Sequence, residues 1–306
     1  MKQKSIKNIR QEFKDNGIFY TPEALALKLK SYVDIEPESV YDPTCGAGNL
    51  LRVFPDSVKK YGQELDAEQL VLIDIPNFTG YAGDTLADDK FAGIQFDCIV
   101  ANPPFSIKWN PDELKEDPRF CDCPALPPPS KADWAFMLHI LHHLSDNGVA
   151  VVLEFPGILY RGQREYKVRR WFIENNYVDR VVNIPGNTFE DTSISTCIIV
   201  LKKKRQTTDV TFEDGERSVC VSQQDIADQG YTLSVNTYLP EEVAKEEIDI
   251  NALNKSIVTT LLEQVEAIFS TTEKLQEIFD DNFYLVDLWK GLRSILEKYR
   301  PKEITK

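Results

Sequence analysis

No apolar stretch in this 306-residue chain comes near the ~20 residues that a bilayer-spanning helix needs, and the opening MKQKSIKNIRQEF lacks the apolar core of a secretory signal. A cytoplasmic protein without membrane contact is the expectation. Positive charge is scarce as well: 35 Lys and Arg stand against 49 Asp and Glu, a formal net charge of −14. Such a chain does not hold duplex nucleic acid by its own field, so a nucleic-acid role needs a local basic patch or a partner. Cysteine is sparse and scattered, at Cys45, Cys98, Cys121, Cys123, Cys197 and Cys220, mostly in apolar runs where a thiol behaves as a small hydrophobe, so no disulfides are expected. Cys121 and Cys123 precede His139 and His143, but Cys-x-Cys is the wrong spacing for a zinc knuckle and the helix carrying the histidines lacks the Glu of a metalloprotease. Free thiols, helix-surface histidines and no metal follow. Two glycine-loop chemistries are also missing. A nicotinamide dinucleotide loop would want a third glycine near Leu51, and a P-loop would want Gly-Lys-Ser/Thr.

What is present centres on Asn102-Pro103-Pro104-Phe105, which follows the apolar run Phe96-Asp97-Cys98-Ile99-Val100-Ala101. Cys98, Ile99 and Val100 in succession predict a strand buried on both faces, stopped by the two prolines. Asn102 then stands at the carboxyl end of a central strand, the edge where open parallel sheets bind ligands. The Asn102 side-chain oxygen and the Pro103 carbonyl can each accept a proton from an exocyclic amine while Phe105 stacks on the ring. A strand that merely ends in a proline turn is the plain alternative.

Along the chain, helix and strand signals alternate. Lys2, Lys4, Lys7 and Arg10 form either a solvated terminus or a phosphate-contacting arm. Thr21-Pro22-Glu23 reads as N-cap, first helical residue and dipole-favoured acid, starting a helix to about Tyr32 with Leu25, Leu29 and Tyr32 on one face. Ser39 to Leu51 is a strand, a turn with Gly46 and Gly48, and a helix, with Asp42 at the strand end. That carboxylate favours a cationic ligand over a pyrophosphate. The ammonium and sulfonium of S-adenosylmethionine meet the demand. Glu64 ends a second strand, placed to accept from ribose hydroxyls, and a helix capped by Asp66 follows with Leu70, Val71 and Ile73 buried. Asp84 ends a third, a candidate acceptor for the cofactor's adenine amine. Each acid alone could be a loop acid, but three in register at successive strand ends point to a site.

Residues 106–130 form an irregular proline-rich loop, a functional flap or a disordered segment, before a helix capped by Ser130. Arg161, Arg164, Lys167, Arg169 and Arg170 line a nucleic-acid groove or simply face solvent. With Val149 to Leu153, Val178 to Ile184 and Thr196 to Leu201 as further strands, the pattern to Arg205 predicts an α/β fold with a seven-stranded doubly wound sheet. Thr208 to Val221 reads as a small hairpin turning at Asp214-Gly215. Val258, Leu261, Val265, Ile268, Thr272, Leu275 and Phe279 recur at heptad spacing, predicting a coiled-coil tail, with a second helix through Leu285, Leu288, Leu292 and Leu296. The expected divisions are 1–38, an arm and helix; 39–205, a catalytic domain; 206–252, a short β/loop extension; and 253–306, a helical tail.

The ordered set Gly17-Ile-Phe-Tyr-Thr-Pro22, Asp42-Pro-Thr-Cys-Gly-Ala-Gly48, Gly62-Gln-Glu64, Gly83-Asp84 and Asn102-Pro-Pro-Phe105 resembles the N6-adenine DNA methyltransferases, and most closely the modification subunits of type I restriction-modification systems. The likeness continues through Ala132-Asp-Trp-Ala-Phe136 and Ile184-Pro185 to Thr196-Cys-Ile-Ile-Val200. It implies a Rossmann-like fold in which Tyr20, Thr21, Asp42, Thr44, Gly46, Gly48, Glu64, Asp84 and Asn102 hold S-adenosylmethionine and Asn102, Pro103, Pro104 and Phe105 hold and activate a flipped adenine of DNA. It implies too a specificity subunit, with further methyltransferase or nuclease subunits, engaged through the C-terminal helices. Two departures stand out: only about sixteen residues precede the Phe-Tyr-Thr-Pro motif, where the family usually has a long helical region, and no segment is large enough for a target-recognition domain. The competing readings are a protein-glutamine N5-methyltransferase, whose related motif usually has Tyr after Asn-Pro-Pro, and a non-catalytic assembly subunit retaining the fold.

Overall fold

The computed structural model describes residues 21–112, 114–186, 195–240, 250–279 and 283–298. The arm, including Tyr20, lies outside them. The chain divides into two compact units, Met1–Glu241 and Glu242–Lys306.

The first unit is built on one mixed sheet. Its strands, in chain order, are β1 (Ser39–Asp42), β2 (Lys59–Glu64), β3 (Phe78–Ala82), β4 (Phe96–Ala101), β5 (Leu144–Glu154), β6 (Val178–Ile184), β7 (Thr196–Leu201), β8 (Val210–Asp214) and β9 (Arg217–Val221). They lie side by side as β3-β2-β1-β4-β5-β7-β6-β8-β9, with β7 antiparallel to both of its neighbours. Among the described residues the sheet therefore has nine strands rather than the seven expected. The hairpin read as a separate appendage joins the sheet, β8 pairing parallel with β6 from Arg180 opposite Thr211 to Asn183 opposite Asp214. The physical reason is the exposed edge that β6 would otherwise present: its amides find partners in β8, and Val210 and Phe212 carry the core across the added strand.

Both faces of the central strands are buried. On β4, Phe96, Ile99 and Ala101 face one core with Trp134, Phe136 and Ile140 of helix Asp133–His143, while Cys98 and Val100 face the other with Leu25 and Leu29 of helix Glu23–Lys30. This two-sided burial is why the sequence there is continuously apolar rather than alternating. His139 and His143, expected on a helix surface, are fully buried in the first core. Their bonding partners, given below, lie far off in sequence, so local periodicity gave no sign of them. Val71, expected to be buried, is 84% exposed, because helix Ala67–Val71 makes little more than one turn and has no second turn to set a buried face.

The second unit consists of helices Ile250–Phe279 and Phe283–Lys298, which meet through the Phe269 and Trp289 rings at 5.5 Å. Along the first helix Val258, Leu261, Leu262 and Ile268 are exposed.

Candidate cofactor and target-base site

Strands β3, β2, β1 and β4 are parallel neighbours, so their carboxyl ends lie along one edge. Successive chain crossovers run outward from β1 to β3 and then return to β4 on the other side of β1. The crevice between β1 and β4 is therefore the switch point where such sheets bind ligands. Asp42 closes β1, Glu64 closes β2, Asp84 lies two residues past β3, and Asn102 directly follows β4. The edge collects all four.

At β1 the chain turns sharply through Gly46 and Gly48, with φ of 49° and 80°, into helix Asn49–Arg52. The left-handed region is cheap only for glycine, and a Cβ on Gly48 would press against Ile73 at 3.3 Å. The loop rests against β2: Cys45 N–H donates to the Gln63 carbonyl at 3.0 Å, and Gly46 N–H donates to Glu64 Oε2 at 2.8 Å. Gly62 permits this approach, since a Cβ there would lie 2.7 Å from Cys45 Sγ. Glu64 also accepts from Asp66 N–H through Oε1 at 3.0 Å, so its carboxylate is fixed by two amides while remaining partly exposed.

Asp42 is 1% exposed, and its carboxylate accepts from Thr44, the backbone N–H at 2.9 Å and the hydroxyl at 3.5 Å. Burial pushes its carboxyl up to about 8, with the neighbouring Glu64 charge adding to the effect against the Thr44 bonds. A cation brought beside Asp42 would favour its ionised form, so the two acids along this edge suit a cationic ligand.

Thr21 does not cap its helix, where Pro22 takes the N-cap position. Its hydroxyl accepts from Asn102 Nδ2 at 3.1 Å, and its carbonyl accepts from Asn49 Nδ2 at 3.0 Å. Asn102 thus has its amide nitrogen turned to Thr21 and its oxygen directed away from that bond. Beyond Phe105 the backbone is held: Ser106, at φ 55°, donates its N–H to Asp133 Oδ1 at 3.1 Å, and Arg161 binds both Asp133 Oδ2 at 3.2 Å and the Ser106 hydroxyl at 3.0 Å. Asp133 is the first residue of its helix, with Ala132 rather than Ser130 at the cap. Glu154, at the end of β5, is wholly buried with Oε1 unpartnered; burial and the Asp133 charge push its carboxyl well above the usual range.

Of the basic cluster, Arg161 is engaged as described, Arg169 is buried and donates to the Tyr231 and Arg161 carbonyls at 2.7 Å each, and Arg170 pairs with Glu174 at 2.8 Å. Arg164 and Lys167 remain exposed. Asp89, His139 and His143 bring ligand-type atoms within 4.8 Å of one another. Their own hydrogen bonds account for the grouping: His143 lies between the Ile94 carbonyl at 2.7 Å and Asp89 Oδ2 at 2.9 Å, and His139 between Tyr41 and Arg119. A guanidinium against His139 Nδ1 opposes a metal there.

Sequence reasoning missed Asn49, Arg119 and the side chain of Gln63, which donates to the Asp88 carbonyl at 2.7 Å and accepts from Lys90 N–H at 3.2 Å, tying β2 to the Gly83-Asp84 turn. It also missed Leu65, an apolar side chain 73% exposed directly after Glu64 at the end of β2. The only signal for Leu65 was its place after the strand-ending acid.

A nucleotide-type glycine turn, strand-end acids and an Asn-Pro-Pro-Phe edge on this strand order define the class of methyltransferase-fold proteins. Residues 6–224 match the model of the N-6 DNA methylase family, and the chain belongs to that family. It is 33% identical to the type I restriction enzyme MpnII methylase subunit of Mycoplasma pneumoniae, over 80% of this chain and 57% of that protein. It is 28% identical to the HindI methylase subunit of Haemophilus influenzae over 67% and 51% respectively. The solved methyltransferase subunit of a type I restriction-modification system from Streptococcus thermophilus superposes with a TM-score of 0.65 at 31% identity, covering 71% of this chain and 58% of that one. The chain thus spans little more than half the length of these relatives.

Proposed function

We propose that the protein transfers a methyl group from S-adenosylmethionine to the N6 amine of a flipped adenine in DNA, as a modification subunit working with a specificity subunit. The observation that carries this reading is the Thr21–Asn102 bond beside the buried Asp42, which puts an oriented amide and a cation-seeking carboxyl along one crevice. The residues present fit the cofactor. Asp42 suits its ammonium, Glu64 its ribose hydroxyls, Asp84 the adenine amine and Leu65 the base face, while the Gly46 and Gly48 turn leaves backbone accessible and Thr44 holds Asp42. Tyr20 belongs to the same motif as Thr21. When bound, the cofactor supplies an electrophilic methyl carbon on a sulfonium.

The chain's own residues do the rest. The N6 lone pair of adenine is delocalised into the ring, so the amine is a poor nucleophile. Asn102 Oδ1 and the Pro103 carbonyl accept its two protons, which draws the nitrogen toward tetrahedral geometry and stabilises the positive charge it acquires. Pro104 fixes the backbone, and Phe105 replaces the stacking lost when the base leaves the duplex. Residues 39–205 would form the catalytic domain, with the sheet completed by the hairpin.

Incubation with tritiated cofactor, DNA and bacterial protein extract, with and without a specificity subunit, tests the reading. Label should appear as 6-methyladenine. Label on glutamine side chains would favour the protein-methylating alternative, and no transfer under any condition would favour an assembly role. Within this reading, Glu64→Ala should weaken cofactor binding by ~2 kcal/mol or more, since ribose hydroxyls lose a charged acceptor; unchanged calorimetric affinity would place the ribose elsewhere.

The partner reading adds a further expected result. Leu261 and Ile268 are 55% and 51% exposed on helix Ile250–Phe279, and the heptad spacing suits a subunit interface. Replacing both by Asp should cost several kcal/mol of association if the face is buried by a partner, roughly the scale of hot-spot losses, and abolish sequence-specific methylation while cofactor binding persists. Full specific activity of the double variant with its partner would remove that role from the helix.

A further inference from the structure

Arg119 is one of the side chains that fix the proline-rich loop after Phe105 to the fold, beside buried Phe120 and the Ser106 bonds to Asp133 and Arg161. Arg119 is 6% exposed, and its guanidinium donates to the Thr85 carbonyl at 2.7 Å through Nη1 and to the Leu86 carbonyl at 2.9 Å through Nη2. Asp117 grips the same group at 2.9 Å through Nε and at 2.7 Å through Nη2. Nη1 also faces His139 Nδ1 at 3.2 Å. Since arginine can only donate, Nδ1 accepts, and Nε2 carries the ring proton toward the Tyr41 hydroxyl 3.1 Å away. Burial, with the charges of His143 and Arg119, holds His139 well below its usual pKa and so keeps it neutral. Thr85 in turn donates its hydroxyl to the Pro43 carbonyl at 2.5 Å. One guanidinium therefore holds the turn that follows Asp84 and reaches, through His139, the residue before Asp42.

Backbone bonds hold the turn at its ends: Gly83 N–H donates to the Glu64 carbonyl at 2.9 Å, and Ala87 and Asp88 N–H donate to the Asp84 carbonyl at 3.1 and 2.7 Å. Asp84 is exposed, lies beyond the end of β3, and spends Oδ1 on its own Leu86 N–H at 2.9 Å. Gln63 touches the preceding Gly83 carbonyl at 3.4 Å. Arg119 is the side chain that takes both the Thr85 and the Leu86 carbonyls, and so acts on the peptide planes that directly follow Asp84. A planar guanidinium takes two adjacent carbonyls at once in fixed geometry, whereas an ammonium is a single point of charge.

We propose that Arg119 is a positioning residue that sets the selectivity of the cofactor pocket for adenine, by fixing the Asp84-Thr85-Leu86 turn from the side of the loop. The proposal rests on the reading of Asp84 as acceptor for the cofactor's adenine amine. It makes the loop a strut between the target-base edge, where it begins at Phe105, and the purine end of the cofactor crevice. The discriminated chemistry is a 6-amino purine against a 6-oxo purine.

The test compares calorimetric affinities of S-adenosylhomocysteine and S-inosylhomocysteine, which differ at the 6-substituent and, with it, at N1, an acceptor in adenine and an N–H donor in hypoxanthine. The unaltered protein should favour the adenosyl compound by roughly tenfold or more, the cost of leaving a polar acceptor without its donor. Asp84→Ala should bring the two to within about twofold, and Arg119→Lys should do the same although Asp84 is intact. The double variant should show no further loss, because both changes remove one discrimination. A purely structural Arg119 would lower thermal stability and weaken both compounds alike, leaving the ratio at its original value; that result overturns the proposal. Asp117→Asn keeps Arg119 but removes the carboxylate that orients it, and should lower the ratio part of the way; an unchanged ratio there overturns the proposal even if Arg119→Lys does not fold. If Asp84→Ala leaves the ratio intact, the reading of Asp84 itself is wrong, whatever Arg119 does.

Discussion

Asn102→Ala is expected to lower methyl transfer by ~10²–10³-fold at saturating substrates, the usual consequence of removing one preorganised group that meets charge developing in a transition state. Cofactor affinity should stay within about tenfold, because in the proposed reaction the amide oxygen acts on the target amine, while the amide nitrogen is tied to Thr21 at 3.1 Å. Thr21 would lose a partner it can replace with water at a crevice. Single-turnover transfer measured beside calorimetric cofactor binding separates the two quantities. Parallel loss of both would mean that Asn102 builds the cofactor pocket and does not act on the base.

The second large effect concerns pH. Asp42 has its carboxyl raised by burial from 3.8 to about 8, so at pH 6 the free protein holds it protonated. A bound ammonium selects the ionised form. Binding must then expel a proton, and affinity should rise by up to about tenfold per pH unit between pH 6 and 8. The rise should stop near pH 8, where α-amino groups, with ordinary values of ~7.7–8.0, lose their own charge. Titration calorimetry in two buffers of different ionisation enthalpy should show close to one proton released at pH 6.5. Asp42→Asn should remove both the release and the slope, and weaken binding by ~2–5 kcal/mol as a buried charge loses its partner. The sign for folding is opposite. A carboxyl raised in the native state binds a proton that the unfolded chain has already lost, so its contribution to stability falls as pH rises from 3.8 to about 8. Asp42→Asn should therefore gain stability at neutral pH while losing cofactor, and flat calorimetric behaviour of the natural protein across this range would refute the assignment of Asp42.

Much of this architecture was legible in the sequence. The run from Phe96 to Ala101 is apolar at every position but Asp97, and a strand with cores on both faces is the one element that uses such a run at that length. The prolines after it, and the glycines after Asp42, act on their own backbone within a few residues, so their effect could be read where they stand. Strand-end acids were visible for the same reason: Asp42, Glu64 and Asp84 each end a local strand signal.

What the sequence could not supply were the partners of polar side chains across long separations. Thr21 reads as a helix cap, a local role that Ser and Thr fill well, yet its hydroxyl serves Asn102 across 81 positions. The hairpin reads as an appendage because its own pattern is complete, while its place beside β6 depends on an edge formed by another segment. His139 and His143 read as surface residues because histidine is polar, and it is the arrival of Tyr41, Asp89, the Ile94 carbonyl and Arg119 from other segments that makes burial tolerable. Composition, periodicity and turn chemistry act through neighbours along the chain, and these alone determined the succession of strands and the residues at their ends. Which carboxylate is desolvated, which amide is turned and which arginine braces the turn depend on atoms that meet only when the sheet closes, and the tertiary structure decided them.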